Sequence, residues 1–220
     1  MKTIVIASQK GGSAKTTCTA HLAVMAQIAG HGPTAILDTD PQETLSTWWN
    51  IREADNPPLI TSSLAGLPAA LQQAEQAGVR YCFVDTPPAL GDRTREVLKV
   101  ADLVIIPTRP SPSDLWALGH TLDMVKATGV PYVFVLTQAK GNARITLQTV
   151  AALSEHGPVA QAVLHDRVEY ATAMIDGRTV QEVSPSGSAA REVEELWISI
   201  NKRFSDNAKS RKREMRIVNG

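Results

Sequence analysis

The stretch Lys2-Thr3-Ile4-Val5-Ile6-Ala7-Ser8-Gln9-Lys10-Gly11-Gly12-Ser13-Ala14-Lys15-Thr16-Thr17 decides the fold. Its first half is a run of β-branched and small apolar residues, the composition of a strand buried on both faces of a parallel sheet. Cys18 to Ala29, rich in Ala, Leu, Val and Met, reads as the crossover helix that packs back on that sheet. Between them, Gly11 and Gly12 let the backbone turn tightly so that successive N–H groups point inward, and the start of the helix adds a partial positive charge. Such a loop cradles phosphate oxygens. Lys15 reaches the β- and γ-phosphates, Thr16 ligates Mg²⁺, and Ser13, Ala14 and Thr17 complete the nucleotide-binding loop. Gln9 and Ala14 stand where the strict phosphate-loop pattern has glycines. If Ala14 must adopt a left-handed backbone, it costs on the order of 1 kcal/mol.

Two later strands end in carboxylates. Residues 34 to 38 lead into Asp38-Thr39-Asp40-Pro41-Gln42, and residues 80 to 85 lead into Asp85-Thr86-Pro87-Pro88. Ligands of an open parallel sheet bind outside the carboxyl ends of its strands, so these segments and the glycine loop converge on one crevice. Asp85 is suited to hold Mg²⁺ through a water, and Asp40 to orient the water that attacks a γ-phosphate.

Further along, strands are expected at 102 to 107, 131 to 137 and 159 to 164. Helices are expected at 15 to 29, 67 to 77, 92 to 100, 113 to 127, 144 to 156, 167 to 175 and 187 to 204. The alternation specifies an α/β fold, a doubly wound, mostly parallel sheet with helices on both faces. Trp48 and Trp49 read as packing residues of a short helix, the alternative being a nucleotide-sensitive contact at a dimer or partner surface. At 220 residues and 43% apolar the chain can bury one ample core, as a single domain over 1–204 followed by a basic tail over 205–220. No run approaches the ~18 apolar residues of a membrane span, and no signal peptide is expected, so the compartment expected is the cytoplasm. Cys18 and Cys82 lack metal spacing and read as free core thiols. The five histidines are scattered.

The set K-G-G-x-x-K-T-T, D-T-D-P-Q and D-T-P-P, in this order, resembles the ParA/MinD group of deviant Walker ATPases. Pro107-Thr108-Arg109-Pro110-Ser111-Pro112-Ser113-Asp114-Leu115-Trp116 and the late segments Gly177 to Val180 and Pro185 to Glu192 extend the likeness over almost the whole chain. It is greatest to the short partition-type ParA proteins. Because the first strand starts at Lys2, an N-terminal DNA-reading domain and a repressor role are not expected.

The resemblance implies an ATP- and Mg²⁺-dependent homodimer. Lys10 would cross the interface to phosphates held by the partner copy, Asp40 would be the hydrolytic residue, Asp38 its supporting neighbour, and Asp85 the outer-shell metal ligand. Thr137 and Pro185 join the implied nucleotide-binding set. Thr137 stands where the family has an adenine-reading Asn, and one hydroxyl cannot reproduce an amide's paired donor and acceptor. The implied activator is a ParB-type centromere-binding protein. Intrinsic turnover is expected to be slow, since no obvious arginine finger is present.

The chain is neutral overall, yet Lys202, Arg203, Lys209, Arg211, Lys212, Arg213 and Arg216 face only Asp206 and Glu214 in the same stretch. These cations are the candidate DNA contacts. They would bind phosphates without reading bases, and dimerisation would double the patch. The expected role is a nucleoid-associated ATPase that segregates or positions cargo. The alternative is a MinD-like membrane-surface ATPase, for which Trp197, Ile198, Ile200 and Phe204 are the candidate anchor. A metabolic ligase or synthase of the same fold is the third possibility, against which Lys10 and the late segment speak.

Overall fold

In the computed structural model, residues 1–88, 91–141 and 143–218 are described, without the side chains of 92–93 and 206–218. The first strand, β1 (Lys2–Ile6), and the first helix, α1 (Lys15–Ile28), flank the glycine loop as the sequence predicts. The remaining strands are β2 (Thr34–Asp38), β3 (Leu59–Ile60), β4 (Tyr81–Asp85), β5 (Leu103–Thr108) and β6 (Tyr132–Leu136). They form one sheet of order β3-β2-β4-β1-β5-β6, parallel throughout. The register places Ile6 beside Asp85 on one side and beside Ile105 on the other. Loops leaving β2, β4, β1, β5 and β6 therefore emerge side by side along one edge.

Alternation along each strand divides the core into two layers. Ile4, Ile6, Phe83 and Ile105 face one way, toward α1 and toward α2 (Thr44–Asn50), α7 (Val168–Met174), α8 (Val180–Val183) and α9 (Ser188–Val218). Val5, Ala7, Val84, Val104 and Ile106 face the other, toward α3 (Leu67–Gln76), α4 (Asp92–Lys99), α5 (Pro112–Thr128) and α6 (Arg144–Ser154). Trp197 of α9 is fully buried against Tyr81 and Phe83, and its indole N–H donates to His31 Nδ1 at 2.9 Å.

Four elements differ from expectation. The strand expected at 159 to 164 is reduced to isolated bridges. Its Ala160 and Leu164 N–H groups reach the Phe134 and Leu136 carbonyls, so four residues span two of β6 and no continuous ladder forms. The two-residue strand β3 is too short to leave a pattern in the sequence, and the four-residue helix α8 is likewise unannounced. Finally, α9 runs 31 residues without a break, past the limit expected near 204.

Candidate nucleotide site

Two left-handed residues shape the loop, Gly12 at φ +72° and Ala14 at φ 68°, ψ 32°. The strained geometry anticipated for Ala14 is thus the one it adopts, and its carbonyl accepts the Cys18 N–H at 2.9 Å to start α1. The loop is clasped from β6. Thr137, buried, donates its hydroxyl to the Ser13 carbonyl at 3.1 Å, and the Gln138 amide donates to the Gly12 carbonyl, also at 3.1 Å. Thr137 thereby holds the loop's backbone.

Lys15 is buried, and burial holds its ammonium below the usual lysine range while Asp85 and Asp40 pull it back up. Thr16 donates to Asp85 Oδ2 at 2.5 Å. Asp85 is 1% exposed, and burial pushes its carboxyl up to about 7 against the pull of Thr16 and Lys15. The Asp38 loop is bolted to this strand by Thr39, whose N–H and hydroxyl both reach the Asp85 carbonyl, at 3.1 and 2.6 Å. Asp38 uses one oxygen to accept the Asp40 N–H at 3.0 Å and the other to accept the N–H and hydroxyl of Ser46 at 2.9 and 3.0 Å. It is thus both the brace of Asp40 and the cap of α2. The Asp40 carboxylate accepts only the Gln42 N–H, at one oxygen, among its described bonds, and its charge is felt at both Lys15 and Asp85.

These residues fit a magnesium nucleotide. The Ser13 hydroxyl, fully buried at the loop, has no partner among the described residues. Thr16 and Asp85 form the oxygen pair that Mg²⁺, which keeps waters and phosphate ligands, asks of a protein.

Lys10 lies half-buried at the outer edge of the loop, lining a small cavity with Ser8, Thr108, Asp114 and Thr121. Gly11 is exposed, and Thr17 gives its carbonyl to His21. Pro185 is exposed in the link between α8 and α9, where the hydrogen bonds are local. Trp48 and Trp49 pack as read, their indole N–H groups donating to the carbonyls of Arg178 and Pro57. Among the basic residues, Lys202 is exposed and Arg203 half-buried, its guanidinium held below the usual range by burial. The side chains of Lys209, Arg211, Lys212, Arg213 and Arg216 lie outside the described residues. The two cysteines are buried and free. Gln138 lies outside every motif, and Thr39 and Arg109, though inside quoted segments, were given no role there; each acts through partners distant in sequence or in a neighbouring element.

Fold and site together define a P-loop α/β nucleotide-binding domain. The family model of the CobQ/CobB/MinD/ParA nucleotide binding domain matches residues 4–180, and the chain belongs to that family. It is 28% identical over 204 residues to the maintenance of carboxysome distribution protein A of Halothiobacillus neapolitanus, covering 88% of this chain and 94% of the relative. To the chromosome-partitioning ATPase Soj of Thermus thermophilus it is 27% identical over 229 residues, covering 86% and 91%. In fold it is similar to MinD in the MinC:MinD cell division complex of Aquifex aeolicus, with TM-score 0.77, 15% identity and coverage of 92% and 96%. It is also similar to an ATP complex of a Cyanothece McdA variant, with TM-score 0.73, 20% identity and coverage of 91% and 96%.

Proposed function

We propose that this chain is a cargo-positioning ATPase that dimerises on Mg-ATP, binds DNA without sequence preference, and hydrolyses ATP when a ParB-type partner stimulates it. The observation that carries the reading is the cluster of Lys15, Thr16, Asp85 and Asp40 at the loop mouth, with Lys10 on the outer edge. Lys15 and the loop amides hold the phosphates, and Thr16 and Asp85 hold Mg²⁺, which would neutralise phosphate charge. Asp40, braced by Asp38, orients water. Apposing two loaded loops would bury several negative charges, which Lys10 and Lys15 offset. Relatives named for carboxysome distribution and chromosome partitioning support cargo positioning as the role.

The test is light scattering with Mg²⁺ and a slowly cleaved ATP analogue. Dimer formation supports the proposal, and a persistent monomer refutes it. Lys15→Ala should abolish nucleotide binding, whereas Asp40→Ala should retain ATP and trap the dimer. Sedimentation with anionic liposomes instead of DNA would move the basic helix to a membrane surface; no described helix is long and apolar enough to cross one.

A further inference from the structure

Arg109 leaves the end of β5 next to the loop that leaves β1, because these strands are paired and the Ala7 N–H bonds the Ile105 carbonyl at 3.0 Å. One edge of its guanidinium is occupied. Nε and Nη2 donate to the two oxygens of Asp114, each at 3.0 Å, in the parallel fork that suits a carboxylate. The Asp114 side chain is 2% exposed and sits in the first turn of α5, so the acid is fixed and orients the arginine. The remaining nitrogen, Nη1, points at the glycine loop, 3.5 Å from where a β-carbon on Gly12 would stand. The arginine side chain keeps 28% of its surface open, and Lys10 shares the small cavity beside Asp114. A planar guanidinium with one edge gripped still has N–H groups to give.

We propose that Arg109 is a phosphate-contacting residue of this nucleotide site, presented by Asp114, with its free Nη1 donating to phosphate oxygens of a bound nucleoside triphosphate. Asp114 is its positioning residue. The phosphate belongs either to the nucleotide in the same loop or to the one held by a partner copy. This inference rests on the nucleotide-site reading above.

The experiment compares the full chain with Arg109→Ala, Arg109→Lys and Asp114→Asn. It measures titration with a fluorescent ATP analogue at a protein concentration too low for dimers, and light scattering with the slowly cleaved analogue. Removing one charge-assisted hydrogen bond should weaken the affected step about tenfold or more. A phosphate in the same loop appears as weaker binding by the monomer. A phosphate across the interface appears as unchanged monomer binding with dimerisation displaced to higher protein concentration. Arg109→Lys should recover part of the deficit, since it keeps the charge and gives up the fork. Asp114→Asn should shift the same step in the same direction, and the double variant should be no worse than Arg109→Ala.

Arg109→Ala leaves a buried carboxylate unpaired. Should it fail to fold, Arg109→Ala combined with Asp114→Ala removes both charges and is measured instead. Wild-type binding and dimerisation in a folded Arg109→Ala or double alanine variant would overturn the inference. If the unmodified chain does not bind the ATP analogue, the nucleotide-site reading fails first, which separates the two failures.

Discussion

Ala14 carries a backbone that an L-residue with a β-carbon adopts only at a cost, and it does so at the start of the helix that presents Lys15 and Thr16. Glycine at this position relieves the strain while adding freedom to the unfolded chain, so Ala14→Gly should stabilise the fold by a net ~1 kcal/mol or less. Urea unfolding checks this, and a drop in stability would mean that the loop does not pull on its own backbone. His21 is a second residue with a legible consequence. It lies fully inside, its Nδ1–H donating to the Thr17 carbonyl at 2.9 Å, its Nε2 without a partner among the described residues, and Tyr170 edge-on at 5.3 Å. Burial, against the smaller upward pull of the Thr17 carbonyl and Glu182, lowers its pKa from 6.5 to about 4. The unfolded chain therefore takes up a proton that the folded chain refuses between these values. Stability is fully present above pH 6.5 and falls as pH drops toward 4, by roughly 3 kcal/mol. His21→Gln should flatten that acid limb in a pH series of thermal unfolding. At this scale the sequence pointed to Lys15, Thr16, Asp38, Asp40 and Asp85, which the structure brings together, because each sits in a short contiguous motif. It did not disclose the Thr137–Ser13 or Gln138–Gly12 bonds, whose partners lie 124 and 126 residues apart.

Helix α2, expected as a short helix around Trp48 and Trp49, shows why an element's limits escape a sequence reading. Its N-cap, Glu43, is left-handed at φ 51° and makes no side-chain cap bond. The capping acid is Asp38, eight residues before Ser46, which it reaches from the end of β2. A helix begun by a neighbouring loop carries no start signal of its own. Its far end is held just as remotely. The Arg52 side chain, 2% exposed, forks onto Glu182 at 2.7 and 3.0 Å, donates to the Gly177 and Asn56 carbonyls, and lies over the Trp48 ring. Gly177 has φ +77°, and a β-carbon there would stand 2.6 Å from the Arg52 backbone. Arg52→Leu strands the Glu182 carboxylate and should cost about 3 kcal/mol in urea unfolding. Arg52→Lys should recover little, because one ammonium cannot make the fork. A cost below ~1 kcal/mol would show that the late segment keeps its place without this clamp. Strands β1, β2, β4, β5 and β6 and helices α1, α3, α4, α5 and α6, by contrast, were legible from periodicity and composition to within a few residues, since each buries a face large enough to dictate its pattern.

Across the whole molecule, the strand order sets the candidate site residues in a row. Asp38 and Asp40 follow β2, Asp85 ends β4, the glycine loop follows β1, Arg109 follows β5, and Thr137 and Gln138 follow β6. This convergence was readable because parallel α/β sheets put loops of one kind on one edge. The neighbour relations within the row required the strand order itself. At the same scale belongs the balance of charge, neutral overall with a basic end. Replacing Lys209, Arg211, Lys212, Arg213 and Arg216 by Ala should reduce DNA retention and lower the salt dependence by roughly one logarithmic unit for each phosphate no longer neutralised. Nucleotide-driven dimerisation should be untouched. Unchanged retention in a mobility-shift series at several salt concentrations would place the DNA-binding surface elsewhere.

One uninterrupted helix carries both Trp197, sealed among Tyr81, Phe83 and His31, and the basic stretch beyond Ser205. A series of stop codons through it therefore meets two regimes. Stops placed after Ser205 trim cations while the indole still plugs the interior, whereas stops before Trp197 withdraw the plug and bare Tyr81 and Phe83 of β4.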